Sequence, residues 1–274
     1  MENIENRVAR PPPTEELAKH VAFFVVLLRD RPDRVAKVDV MRQMVPSLQV
    51  IDAIDGGKLT IEELGRLVES GMLKPGPDGK HVDEYVDGRV MTVGNLGAYL
   101  SHRLAMQRVA ALGRDVGGPR YGVVLEDDVV LRPGFLEAVA LMVHAFDSMG
   151  LEGAVVPDIV NMYVFESQRR FFKQFADQER VSGQGQVPSA ALVPTPVGLW
   201  GLQCYMLPPP GAAKALQLMW PMRGAVDEQI TRVGLNSLTL VGVTVVDGEV
   251  VKSYTNTTRT IDEALADRPT RRIL

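Results

Sequence analysis

The stretch Tyr121–Leu131 reads YGVVLEDDVVL, and its three adjacent carboxylates, Glu126, Asp127 and Asp128, interrupt a run of aliphatic residues. The aliphatic run before them predicts a buried strand of a parallel sheet over Tyr121–Leu125. Adjacent like charges repel, and burying a carboxylate is costly unless a cation or hydrogen bonds compensate. Ligands of open parallel sheets gather at the carboxyl ends of strands. The stretch therefore predicts a strand that ends at a ligand-binding crevice.

A divalent cation would relieve the repulsion within this acidic triplet. Oxygen-rich sites suit Mg²⁺ or Mn²⁺, which use few protein carboxylates and complete their shell with water and phosphate. Alternation along a strand puts Glu126 and Asp128 on one face and Asp127 on the other, unless the strand ends there. Glu126 and Asp128 are thus the predicted metal ligands, with Asp128 the first choice. The alternative is that the acids only solvate a turn, with Asp128 helping to start the next helix.

Strands and helices alternate on both sides of this stretch. Aliphatic runs and turn residues predict the strands 21–28, 48–54, 154–160, 200–207 and 237–246. Apolar spacing and capping residues predict the helices 35–45, 60–70, 96–112, 133–149 and 211–218. The helix 96–112 takes Asn95 as its cap, and Gly97 in its first turn should weaken it by roughly 1 kcal/mol relative to Ala. The polar segment 168–197 is typical of a lid or acceptor loop.

This order predicts an α/β fold with a mostly parallel, doubly wound sheet and helices on both faces. We expect one domain over residues 20–257, a flexible tail over residues 1–19 and a second tail over residues 258–274. The 274 residues suffice for a sizeable core.

Net charge, cysteine content and the length of the apolar runs limit the partners and the cellular location that the sequence predicts. A net charge of −4 gives no general attraction to nucleic acid or anionic membranes. Cys204 is the only cysteine, which excludes an intramolecular disulfide and is compatible with a reducing, cytoplasmic location. The apolar run after His20 is too short to span a membrane and lacks a signal-peptide cleavage site. Homo-oligomer formation is left open.

Five separated motifs resemble glycosyltransferase family 25, which includes lipooligosaccharide galactosyltransferases and collagen β-galactosyltransferases. In chain order they are VVLLRDRPDRV, AIDG, GNLGAYLSHRLAMQRV with YGVVLEDDVVL, WGLQCYMLPPPGAAKAL, and AVDEQI. The resemblance covers about residues 21–255. It implies a GT-A fold, a nucleotide-sugar donor (most often a UDP-hexose), a divalent metal (Mn²⁺ or Mg²⁺), a glycan or glycoprotein acceptor, and inversion at the anomeric carbon.

The resemblance also implies donor-binding residues near the first strand and the triplet. Arg31 and Arg34 have planar donor groups that suit the phosphate or base of the donor, and Asp127 is a further candidate cofactor-binding residue. For Arg31, a surface salt bridge with Asp30 or Asp33 is an equally good interpretation. Arg34 matches the family's arginine and is the preferred residue.

The second and third motifs add four candidate cofactor-binding residues. Asp55 and Gly56 end the second strand, where they would accept hydrogen bonds from the uracil or ribose of the donor. The alternative is that Asp and Gly only form a turn there. Ser101 and His102 lie on the helix before the triplet. A lone histidine on a helix is more often a packed or capping residue, and only the resemblance favours a ligand role.

Inversion requires a base to take the proton of the acceptor hydroxyl. Asp227 in AVDEQI is the candidate, with Glu228 as the fallback; the alternative is that Asp227 caps a helix starting near Glu228.

This sequence also departs from the family pattern. Leu27 and Asn95 replace the usual Asn and Glu, and Ala98 replaces the usual Cys. A glycosyltransferase-like binding module without turnover therefore remains an alternative. A Mg²⁺-dependent phosphotransfer domain is the other, although no nucleophilic Asp with a later Lys is found.

Overall fold

The computed structural model describes residues 14–73, 92–112, 117–164, 168, 172, 191–199, 201–241 and 246–248. Its strands are β1 Val21–Leu27, β2 Gln49–Asp52, β3 Tyr121–Glu126, β4 Val129–Leu131, β5 Ile159–Asn161, β6 Ala191–Pro194, β7 Cys204–Leu207, β8 Ser237–Val241 and β9 Val246–Gly248. Its helices are α1 Thr14–His20, α2 Pro32–Met44, α3 Ile61–Glu69, α4 Val93–Leu112, α5 Phe135–Leu151, α6 Pro209–Leu218 and α7 Val226–Arg232.

A seven-stranded sheet runs through the described part of the chain in the order β2-β1-β3-β7-β5-β8-β6. β1 pairs in parallel with both β2 and β3, and β5 pairs in parallel with β8. β7 and β6 run the other way and form the antiparallel pairs. Strands β4 and β9 form a separate antiparallel pair beyond the end of β3. The predicted α/β, mostly parallel sheet is confirmed.

Alternation along β1 sorts the core onto two faces. Ala22, Phe24 and Val26 pack in one cluster with residues of α3, α4, α6 and α7. The intervening residues, Val21 and Phe23 among them, pack in a second cluster with residues of α1, α2 and α5. Because both faces of the strand are buried, it reads as one aliphatic run rather than as an alternating pattern. The sheet is therefore doubly wound, as predicted.

Element boundaries differ from the sequence prediction where local chemistry decides them. The helix predicted from residue 96 begins at Val93, because Thr92 rather than Asn95 stands at its start. Thr92 Oγ1 accepts from the Asn95 amide at 3.2 Å, and the Asn95 side chain accepts from the Thr92 amide at 3.2 Å. The capping box of α3 is present as predicted, with Thr60 and Glu63 bonded reciprocally.

Three other differences concern short or displaced elements. The strand predicted over residues 154–160 begins at Ile159, because the segment before it is exposed, with Val155 78% exposed. The strand predicted from residue 200 begins at Cys204, since Gly198 and Gly201 adopt positive φ in the preceding turns. Within the predicted tail 1–19, α1 is helical and Leu17 is buried in the core.

The predicted tail 258–274, and most of the predicted loop 168–197, lie outside the described residues. The part of that loop that the structure describes includes β6, an edge strand paired with β8. None of the described helices is long and apolar enough to cross a membrane.

Candidate active site

The acidic triplet lies where β3 ends. The strand stops at Glu126, and Asp127 and Asp128 form the turn into β4. The carboxylates therefore reach the carboxyl edge of the sheet, as predicted. Strand alternation no longer applies after Glu126, and the triplet divides differently from the prediction: Glu126 contacts α4, whereas Asp127 and Asp128 both contact α2.

Arg34 on α2 compensates the charge of the two aspartates. Its buried guanidinium Nη1 lies 3.2 Å from Asp127 Oδ1 and 3.1 Å from Asp128 Oδ2. Asp127 Oδ2 also accepts from the Leu28 amide at 2.9 Å. Burial raises the pKa of Asp127, and the Leu28 amide and Arg34 oppose this rise. Arg34 thus holds Asp127 and Asp128 in place from α2. Sequence reasoning missed this contact. The binding of the donor by Arg34 stays a prediction.

Glu126 joins a chain of buried side chains on the other face of the sheet. His102 Nε2 lies 3.1 Å from Glu126 Oε1, and His102 Nδ1 lies 3.1 Å from the Tyr205 hydroxyl. An ionised carboxylate only accepts hydrogen bonds, so neutral His102 must carry its proton on Nε2. Nδ1 is then an acceptor, and the Tyr205 hydroxyl donates to it. The sequence does not predict a role for Tyr205. Only the order of the strands shows that Tyr205 lies on the same face of the sheet as Glu126.

Ser101, Gly56 and Asp55 hold the turn after β2 against α4. Ser101 Oγ accepts from the Ile54 amide at 2.8 Å and donates to the Gly97 carbonyl at 2.6 Å. Gly56 is buried, and a Cβ built there would lie 1.7 Å from the Val93 carbonyl oxygen. Asp55 accepts from the Gly57 amide at 3.0 Å, which is the turn role weighed for it in the sequence.

Arg31 makes the surface salt bridge that was the alternative to donor binding. Its Nε and Nη2 lie 3.1 and 2.8 Å from the two carboxylate oxygens of Asp33. The bidentate geometry occupies one edge of the guanidinium.

Asp227 is partly buried near the triplet. Its Oδ2 accepts from the Gly201 amide and its Oδ1 from the Glu228 amide, both at 2.9 Å. Burial raises the pKa of Asp227; the two amides and His102 oppose the rise, and the charge of Glu126 adds to it. The helix α7 begins at Val226 with Ala225 as its N-cap, so the alternative in which Asp227 caps it is wrong.

The fallback base Glu228 is engaged elsewhere. Its carboxylate accepts from Arg232 one helical turn later, at 2.8 Å. Asp227 therefore stays the first candidate for the catalytic base, and Glu228 the second.

Among the residues that the structure describes, none donates a hydrogen bond to two buried side-chain oxygens around the triplet, Asp128 Oδ1 and Gln203 Oε1. The described residues contain no group of three or more His, Cys, Asp or Glu arranged to hold a metal ion. An unsatisfied carboxylate oxygen nevertheless fits a hard cation that takes its other ligands from water and substrate. Asp128 is thus the residue that best fits a metal.

Comparison with known proteins identifies the family of this chain. The sequence profile of glycosyltransferase family 25, described as an LPS biosynthesis protein, matches residues 20–230. That match covers more than half of the chain. The chain belongs to glycosyltransferase family 25.

The similar curated proteins are much longer than this chain. It is 34% identical over 129 residues to the rat "Probable inactive glycosyltransferase 25 family member 3" and to the mouse "Inactive glycosyltransferase 25 family member 3". Each match covers 47% of this chain and 20% of the relative. Among solved structures, mouse xyloside xylosyltransferase 1 in its apo form matches at a TM-score of 0.32 and 16% identity, over 78% of this chain and 80% of that one. A likeness this loose carries no argument about function.

Proposed function

We propose that this protein is an inverting glycosyltransferase that moves a hexose, galactose or glucose, from a UDP-sugar to a hydroxyl of a glycan or glycoprotein. Family membership supports the transferase class. The observation that carries the finer proposal is the buried Asp128 Oδ1 at the carboxyl end of β3, to which no described residue donates a hydrogen bond. This is where ligands of an open α/β sheet bind.

At the donor end, Asp128 and Glu126 would hold Mn²⁺ or Mg²⁺. When bound, the cation would neutralise the charge that develops on the departing diphosphate. Arg34 keeps Asp128 oriented through its salt bridge of 3.1 Å. His102 keeps Glu126 oriented in the same way, from the opposite face.

At the acceptor end, Asp227 serves as the base. The acceptor oxygen attacks the anomeric carbon while the bond from that carbon to the diphosphate oxygen breaks. The hydroxyl proton passes to Asp227, and the electron pair of the broken bond leaves with UDP. A carboxylate whose pKa is raised by burial is a stronger base than an exposed one, which suits this task.

Calorimetry with UDP-galactose and UDP-glucose tests the proposal. With Mn²⁺ present the protein should bind one of them, and removing Mn²⁺ or introducing Asp128→Asn should weaken binding at least tenfold. Asp39→Asn is the matched control, because Asp39 is an exposed residue of α2 that pairs with Arg42. Absence of any UDP-sugar binding by the wild-type protein would contradict the proposal.

A second candidate is a family 25 module that binds its sugar ligand without turnover. Both Asp227 oxygens already accept backbone hydrogen bonds, which limits their access to a substrate proton. The curated relatives are also called inactive. This candidate predicts UDP-sugar binding with neither transfer nor hydrolysis. Release of UDP at a rate that Asp227→Asn abolishes would exclude it.

A further inference from the structure

Gln203 joins the two ends of the candidate site. It lies two residues after Gly201, whose amide donates to Asp227 at 2.9 Å. Its own carbonyl accepts from the Glu126 amide, also at 2.9 Å. The short segment 201–203 is thus bonded both to the proposed base and to the acidic triplet. A group bound between Glu126 and Asp227 would lie next to Gln203.

Register places the side chain of Gln203 on the face of the sheet that carries Glu126 and Tyr205. Leu125 is the Cα partner of Cys204, and the hydrogen bond from the Glu126 amide to the Gln203 carbonyl continues this ladder by one pair, which makes Gln203 the cross-strand neighbour of Glu126. Cross-strand neighbours share a face, with Cβ atoms roughly 5 Å apart. Tyr205, two residues on, lies on that face and reaches His102. Gln203, Glu126 and Tyr205 therefore line the same side of the sheet.

The amide oxygen of Gln203 is buried and accepts no hydrogen bond from the described part of the chain. Leaving a buried acceptor unsatisfied is costly, so such an atom is expected to have a partner in the working state of the protein. The partner must be a hydrogen-bond donor or a cation. Near Glu126, the carboxylates are far better ligands for a hard cation than a neutral amide is, which leaves a hydrogen-bond donor.

We propose that Gln203 Oε1 accepts a hydrogen bond from a hydroxyl group of the transferred sugar and thereby selects the donor. This inference rests on the proposed function. The diphosphate belongs to the Asp128 end of the site and the acceptor hydroxyl to the Asp227 end. The hexose ring must lie between them, beside Gln203. A site that bonds a substrate hydroxyl discriminates strongly against analogues lacking it, because a buried polar group is then left unpaired.

The test compares UDP with UDP-galactose, UDP-glucose and their single-deoxy analogues, by calorimetry in the presence of Mn²⁺. The variant Gln203→Met keeps the side-chain length and removes the acceptor. Gln217→Met is the control, because Gln217 is exposed on α6. Wild-type protein should bind one deoxy analogue roughly tenfold more weakly than the parent sugar. Gln203→Met should bind the parent UDP-sugar as weakly as the wild-type protein binds the deoxy analogue. The variant should bind parent and analogue with equal affinity, and its affinity for UDP should be unchanged.

Two results would overturn the inference alone: wild-type discrimination retained in Gln203→Met, or an equal loss of affinity for UDP and UDP-sugar. If Gln203→Met does not fold, Gln203→Glu takes its place, since it keeps the shape and an acceptor. That variant must show the same single-hydroxyl preference as the wild type, and losing the preference counts against the inference. Failure of the wild-type protein to bind any of these nucleotides would instead remove the proposed function, and this inference with it.

Discussion

Gly97 of α4 packs backbone to backbone against Gly56 in the turn after β2. A Cβ built on Gly97 would lie 2.5 Å from the Gly56 nitrogen and 2.5 Å from the Ile54 carbonyl oxygen. Helix propensity alone predicts that Gly97 weakens α4. The structure reverses the expected effect of replacing it, because only glycine lets the helix approach the turn. This contact lies one helical turn before Ser101 and His102, so it also sets their position.

Gly97→Ala should therefore lower the free energy of unfolding by about 1–3 kcal/mol, since rigid backbone must move to admit the methyl group. Urea unfolding followed by circular dichroism measures the change. Gly150→Ala in α5 is the control: its nearest heavy atom would be 3.9 Å away. That variant should be neutral or more stable by up to about 1 kcal/mol. Equal stability of the two variants would contradict the packing argument.

Arg34→Met should be strongly destabilising, by about 3–5 kcal/mol, because it leaves two aspartates beside each other without their cation. The loss should be smaller at low pH. Burial already raises the pKa of Asp127, and without Arg34 the pKa rises further, so protonation relieves the repulsion as the pH falls.

Urea unfolding at pH 5 and pH 8 measures this difference. The control is Arg42→Met on the same helix, whose salt bridge with Asp39 is exposed and should contribute at most about 1 kcal/mol. Adding Asp127→Asn to Arg34→Met should recover part of the stability. A loss that is independent of pH and not recovered would contradict the charge argument.

Much of the fold is readable from the sequence, because local patterns determine it. β1 and β3 are buried on both faces, and their sequences are therefore continuous aliphatic runs. Thr60 and Glu63 form a capping box that predicts the start of α3. β4 and β9 were missed because each has only three residues and each is stabilised by the other, more than one hundred residues away in sequence. Short strands of this kind are set by tertiary pairing rather than by local propensity.

The candidate site was partly readable for the same reason. The acidic triplet is recognisable because aliphatic residues flank it on both sides, and Asp55 with its following glycines predicts a turn. Nothing local to Tyr205 or Gln203 indicates a role, because their contacts with His102 and Glu126 depend on the order of strands in the sheet. Arg34 was singled out, but its salt bridge to residues 93 and 94 positions later was not predictable.

The contact with Glu126 should fix the tautomer of His102. Long-range ¹H–¹⁵N correlation spectra at pH 8 should show neutral His102 protonated on Nε2, because Glu126 can only accept. Tyr205→Phe should leave this tautomer unchanged while removing a buried hydrogen bond at a cost of about 0.5–1.5 kcal/mol. His144, which is exposed on α5, is the internal control and should show a mixture of tautomers. A proton on Nδ1 of His102 would contradict the hydrogen-bond assignment.

Asp227 should set the acid limb of the pH profile of transfer. A base must be ionised to accept a proton, so activity should fall as the pH drops through the pKa of Asp227. Burial raises this pKa, so the limb should lie above the range of an exposed aspartate, about 3.9. Measuring kcat/KM for transfer from pH 4 to pH 9 locates the limb.

Two neighbouring variants separate this role from structural effects. Asp227→Asn should lower kcat at least a hundredfold, the usual scale of general-base catalysis, while UDP-sugar binding persists. Glu228→Gln is the matched control, since Glu228 adjoins Asp227 but is paired with Arg232, and it should keep most activity and the same acid limb. If Glu228→Gln abolished transfer and Asp227→Asn did not, the base would be Glu228. Loss of the limb in Asp227→Asn alone would instead tie the proton to Asp227, whose carboxylate accepts from the Gly201 amide.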